Sequence, residues 1–169
     1  LTKLLRGTLC VAAALTACTA LLAGCGLGGG DRGYSLVKPP FSGGPACTAL
    51  TDRLPEELGG HRLEKPGVDG AAAWGEGDII LYCGMPEPAA AGDCRTVGGV
   101  DWVGQKPADD GTAEMFATWG RDTTVQVRFA GKDVGTAAVL QSLAPVVKQI
   151  KEAEAGTAGE ASTGCGTAG

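Results

Sequence analysis

Apolar positions change their spacing along this chain, and each change predicts a different element. After Lys3 and Arg6, an uncharged run extends from Leu9 to Ala23, interrupted only by Thr16 and Thr19. Leu50, Leu54 and Leu58 then recur at every fourth residue, the spacing of one helix face. Pro55 should break or kink this helix near Leu54, and Gly59-Gly60 should end it. Asp78–Cys83 is a nearly continuous apolar run, which predicts a strand covered on both faces. Gly98–Val103 carries Val100 and Trp102 on one face of a strand, and Thr112–Trp119 sets Ala113, Met115, Ala117 and Trp119 against Glu114, Phe116 and Thr118. The clearest alternation is Thr123–Ala130, where Val125, Val127 and Phe129 oppose Thr124, Gln126 and Arg128. Gly120-Arg121-Asp122 reads as the hairpin connection before it. A closing helix over Thr136–Lys151 places Leu140, Leu143, Val147 and Ile150 on one stripe, with Pro145 kinking it or starting a second short helix. Helix, strands and helix in this order predict an α+β fold, a small and largely antiparallel sheet packed with an N-terminal and a C-terminal helix. No internal repeat is evident.

The flanks follow other rules. A short basic region, an apolar run and the tetrapeptide Leu22-Ala23-Gly24-Cys25 have the layout of a lipoprotein signal peptide over residues 1–24, with Cys25 as the lipidated residue. At ~1.5 Å per helical residue the run is shorter than the roughly 30 Å hydrocarbon core, which disfavours a permanent transmembrane helix. Residues 25–45 read as the lipidated cysteine and a flexible Gly/Pro tether, 46–151 as the globular domain, and 152–169 as a disordered Ala/Gly/Thr tail. The expected location is the outer face of the cytoplasmic membrane, with lipid on Cys25 as the attachment.

Charge narrows the partners. The formal net charge is −5, and loss of Lys3 and Arg6 with the leader would make it −7. A chain this acidic and without a basic cluster predicts no nucleic-acid binding. Cys10 and Cys18 would leave with the leader, so four cysteines remain besides Cys25: Cys47, Cys83, Cys94 and Cys165. In an oxidising compartment these suggest disulfides, and four cysteines allow three pairings. No two have the close spacing of zinc ligands and His61 is the only histidine, so neither metal nor cofactor is expected.

Three tryptophans stand in similar settings, Ala73-Trp74-Gly75, Asp101-Trp102-Val103 and Thr118-Trp119-Gly120. They would form a stacking platform for a flat ligand or sugar ring, with Asp101, Arg121 and Asp122 as polar contacts, or else fill the core. An Arg121–Asp122 pair would fix the hairpin. Asp109-Asp110-Gly111 is a turn signal without calcium-loop spacing. His61 lies in a polar stretch expected at a solvated edge, and no serine sits in a Gly-x-Ser-x-Gly turn, so no catalytic residue is assigned.

Cys47-x-x-Leu50 with Leu54-Pro55, Ala73-Trp74-Gly75, Leu81-x-Cys83-Gly84-x-Pro86, Gly99-Val100-Asp101-Trp102, Gly120-Arg121-Asp122 and the Val139-Leu140-x-x-Leu143 helix occur in that order. The set resembles an actinobacterial family of small exported lipoproteins known only as a domain of unknown function. The resemblance covers about Ala46 to Val147 and implies a membrane-tethered extracytoplasmic domain. One departure is Gly98, where asparagine is expected; it removes a polar group next to Asp101. The resemblance implies a Cys47–Cys83 disulfide, leaving Cys94 with Cys165; a local Cys83–Cys94 bridge with Cys47–Cys165 is the rival. The expected function is a binding or interaction module recognising an envelope ligand or protein partner. The alternative is an envelope enzyme acting on peptidoglycan or glycan through carboxylates such as Asp101 and Asp122.

Overall fold

The computed structural model describes residues 33–64, 67–88, 93–106, 113–153 and 165. The leader, Cys25, the Asp109-Asp110-Gly111 turn and the tail apart from Glu152, Ala153 and Cys165 lie outside the described residues. In chain order the elements are α1 (Pro45–Thr51), β1 (Glu57–Leu58), β2 (His61–Glu64), β3 (Ala71–Trp74), β4 (Ile79–Met85), β5 (Asp93–Val97), β6 (Val100–Gln105), β7 (Glu114–Thr118), β8 (Thr124–Phe129) and α2 (Thr136–Val147). The strands form one sheet in the order β1-β2-β3-β4-β8-β7-β6-β5, and every pairing is antiparallel.

This order contains two four-stranded meanders, β1–β4 and β5–β8, joined where the last strand of each meets the other. Ile79 pairs with Phe129, Leu81 with Val127 and Cys83 with Val125 along that seam. Each meander has a diglycine at its outermost turn, Gly59-Gly60 between β1 and β2 and Gly98-Gly99 between β5 and β6. A Trp-Gly step also follows the third strand's course in each, at Trp74-Gly75 and Trp119-Gly120. A repeat therefore exists in topology although the sequence does not announce it.

Period-2 alternation fixes which side chains face inward. Val125, Val127 and Phe129 of β8 join Val100, Trp102 and Phe116 of the neighbouring strands in the main core. Both helices close this same face: α1 through Cys47 and Leu50, α2 through Val139, Leu140, Leu143 and Val147. α2 continues through Pro145 to Val147 as a single helix. Proline near a helix end removes one backbone donor at a position with little helix left to disrupt.

Three sequence expectations change. The Leu50/Leu54/Leu58 stripe is not one helix: α1 ends at Thr51, whose hydroxyl donates to the Cys47 carbonyl at 2.9 Å, and Leu58 belongs to β1. All three leucines are still buried. Pro55 is the physical reason, because its ring cannot follow a helical turn; its carbonyl instead accepts the Trp74 indole N–H at 3.0 Å. Secondly, β2, β3 and β5 were not signalled by alternation. β3 is Ala-Ala-Ala-Trp, buried on both faces, so it shows no polar side to the pattern.

Thirdly, the described part of the Gly/Pro stretch lies against the sheet. Tyr34 and Leu36 pack on the second, outer-face cluster around Ala73, Ile80 and Tyr82. The Tyr34 hydroxyl donates to Glu64 at 2.7 Å, and the Phe41 N–H donates to the Gly84 carbonyl at 2.9 Å. Gly84 is a bulge residue at φ 90°, and a Cβ there would collide with the Phe41 backbone. Glycine at this position is therefore what lets the segment dock.

The cysteines pair as Cys47–Cys83, with Cα atoms 5.5 Å apart, and Cys94–Cys165, 5.3 Å apart. The first bridge bolts α1 to β4 inside the core. The second fixes Cys165 to the outer side of edge strand β5.

Candidate functional site

One end of the sheet gathers the β5–β6 turn, the β7–β8 turn and the chain that follows α2. Between them is a cavity of about 150 Å³ lined by Gly99, Asp101, Trp119, Gly120, Arg121, Glu152 and Ala153. Backbone pairing sets its walls: Trp119 N–H donates to Asp101 O at 2.9 Å, Asp122 N–H to Lys151 O at 3.1 Å, and Ala153 N–H to Gly120 O at 3.0 Å. Arg121 and Glu152 form an isolated antiparallel bridge. The packed domain therefore extends past Lys151 to Ala153.

Arg121 is the charged centre of this junction, its side chain only 6% exposed. Its guanidinium donates to the Ile150 carbonyl at 2.7 Å and lies 3.7 Å from the Glu152 carboxylate. Arg121 Nε and Trp102 Nε1 are buried donors that meet no hydrogen-bond partner among the described residues. Asp101 is half-buried, and both of its oxygens are engaged. One accepts the Thr96 hydroxyl across the β5–β6 ladder at 2.5 Å, the other the Cys165 N–H at 3.2 Å. Glu87, just past β4, accepts the Gly120 N–H at 3.3 Å. The arrangement offers one buried cation and two carboxylates to a small polar group, by charge-assisted hydrogen bonding.

Of the sequence-predicted residues, Asp101, Trp119 and Arg121 converge here. Trp74 and Trp102 do not: both are fully buried in the main core, and Trp119 is 8% exposed, so the three rings form no open stacking platform. In a small domain, large rings contribute more as buried area than as surface. Asp122 is exposed and outside the cavity, and Arg121 turns to Ile150 and Glu152 instead of pairing with it. Asp101 and Asp122 therefore do not face each other as a carboxylate pair. Glu152 and Ala153 carry no sequence signal, because they open a stretch without periodicity. His61 is also partly buried; its Nδ1 lies 3.5 Å from the Asp78 carboxylate at the opposite end of the sheet.

The outer face contains the other ionisable group of note. Burial pushes the Tyr82 phenol above its ordinary range, opposed by the Val37 backbone N–H and the Arg128 charge. Among the described residues no helix is long and apolar enough to cross a membrane, and no three His, Cys, Asp or Glu side chains cluster as a metal site.

Fold and site together define a disulfide-braced α+β domain built from two meanders, with a small polar cavity where their late turns meet the segment after α2. The chain belongs to a family described as protein of unknown function (DUF3515), whose model matches residues 9–155. No curated protein and no solved structure matches it.

Proposed function

We propose that this is a membrane-anchored extracytoplasmic lipoprotein, of the actinobacterial exported kind, serving as a binding or interaction module in the cell envelope. The observation carrying the proposal is the Leu22-Ala23-Gly24-Cys25 box behind a basic and then apolar leader. Two disulfides among the remaining cysteines support it, since such bonds persist in oxidising compartments. The binding surface in this reading is the polar cavity around Arg121, Asp101 and Trp119, with a buried guanidinium at its wall. Carboxylate-based hydrolysis of glycan gains nothing from the geometry, because Asp122 stands outside the cavity and both Asp101 oxygens already accept hydrogen bonds.

Metabolic labelling with an alkyne fatty acid tests the anchor. The wild type is expected to carry the label and Cys25→Ala to lose it. Equal labelling of both would end the assignment.

A further inference from the structure

The outer-face segment that precedes α1 has a second property. Among the described residues, Val37 and Phe41 are the large apolar side chains left exposed, at 59% and 65%. Their exposure does not come from a loose backbone. The Phe41 N–H is bonded to the Gly84 carbonyl at 2.9 Å, and Lys38, between the two exposed side chains, pairs with Asp69 at 2.9 Å. Pro39 and Ser42 are buried against the sheet, and the Ser42 hydroxyl donates to the Pro39 carbonyl at 2.9 Å. The same segment thus half-buries Tyr34 and Leu36 and buries Pro39 and Ser42 on one side, and presents Val37 and Phe41 on the other.

Its position relative to Cys25 says what covers these two side chains. Docking begins at Tyr34, so the connecting chain is Gly26–Gly33 and not the whole stretch to Pro45. Eight residues reach at most ~28 Å, even fully extended. A lipid on Cys25 would therefore hold this segment close to the bilayer. We infer that the Tyr34–Ser42 segment is the domain's membrane-facing surface, with Val37 and Phe41 entering the interfacial layer of the lipid. This rests on the lipidation of Cys25 proposed above. The chemistry suits the interface: an aromatic and a branched aliphatic side chain stand on either side of a lysine whose charge is held by Asp69. Orientation follows, because a domain held by a single lipid attachment rotates freely, whereas a second apolar contact selects one face.

The test uses the full-length lipidated protein in vesicles of brominated phosphatidylcholine, with acylation verified by intact mass. Phe41→Trp places a fluorophore on the segment, the native tryptophans are buried and serve as background, and Ala138→Trp on the exposed side of α2 is the control. At least twofold stronger quenching of Phe41→Trp than of the wild type and Ala138→Trp is expected. Equal quenching in an acylated protein would overturn the inference and leave the anchor intact. An unacylated mass would instead overturn the anchor and the inference with it. Blue-shifted, unquenched emission from the Phe41→Trp variant, in a chain that elutes as a dimer, would assign the patch to self-association and also overturn it.

Discussion

Individual side chains here mostly have structural duties that their identities do not advertise. Asp101 is the clearest case. In sequence it is a carboxylate beside a tryptophan and thus a ligand candidate, yet in the fold it ties Thr96 and the Cys165 backbone to one point. The partners of Arg121 are equally invisible in sequence, since Ile150 and Glu152 lie far along the chain and are brought close only by the path of α2. Sequence singles out Asp101, Trp119 and Arg121 only within a wider set that also holds Trp74, Trp102 and Asp122, and these last three stand outside the cavity. Tyr82 gives a residue-scale prediction. Its folded pKa is raised by burial above the ordinary 10.0, so the native state holds the phenolic proton more tightly than the unfolded chain. This contribution is complete below pH 10 and is lost as pH rises through the folded value. Urea unfolding between pH 8 and 11 should therefore show a steeper alkaline loss in the wild type than in Tyr82→Phe. Parallel curves would mean that the phenol is not coupled to folding.

At the scale of elements, legibility follows alternation of residue type and not exposure: β8 alternates apolar and polar residues, although Thr124 and Gln126 are buried like Val125 and Val127. β8 alternates in residue type and α2 has a wide apolar stripe, so their patterns place them closely; in β7 the sidedness differs from the expectation, because Phe116, grouped with Glu114 and Thr118, is the side chain that enters the main core. β3 has no polar side, and β1 is too short for any period to register. The Leu50/Leu54/Leu58 spacing misled because four-residue recurrence also arises when a helix, a turn and a strand each bury one leucine. The β5–β6 hairpin explains the glycine found where asparagine is expected. Gly98 has φ 62°, and a Cβ there would collide with the Ala144 Cβ on α2. Asparagine tolerates that backbone conformation, but no side chain larger than hydrogen fits against this helix. Gly98→Ala should cost about 2 kcal/mol, combining left-handed strain with overpacking. Ala144→Gly in the same chain should recover the packing part, so the double-mutant cycle reads a coupling between the two sites. Additive effects in urea melts would show that hairpin and helix do not press on each other.

For the whole molecule, the two disulfides make different contributions. They close loops of 36 and 71 residues in sequence separation. Chain entropy favours the longer loop by only ~0.6 kcal/mol, since the loop term grows with the logarithm of length. Cys47 and Cys83 are 1% and 0% exposed, so serines there would bury two hydroxyls at about 1–3 kcal/mol each. The Cys47→Ser/Cys83→Ser variant should thus lose more stability in urea than Cys94→Ser/Cys165→Ser, although its loop is shorter. The reverse order would mean that the attachment of Cys165 to edge strand β5 matters more than the bolt through the core. The β4·β8 seam has a consequence for how such a molecule comes into being. A meander can zip up locally as it emerges, but β4 finishes early and then waits, with one edge unpaired, until Phe129 can reach Ile79. Through that interval the most apolar strand of the chain is an open template for other copies of itself. Assembly therefore becomes a race between closure within one chain and pairing between chains, and its yield should depend on concentration because the fold is completed in the middle and not at the rim.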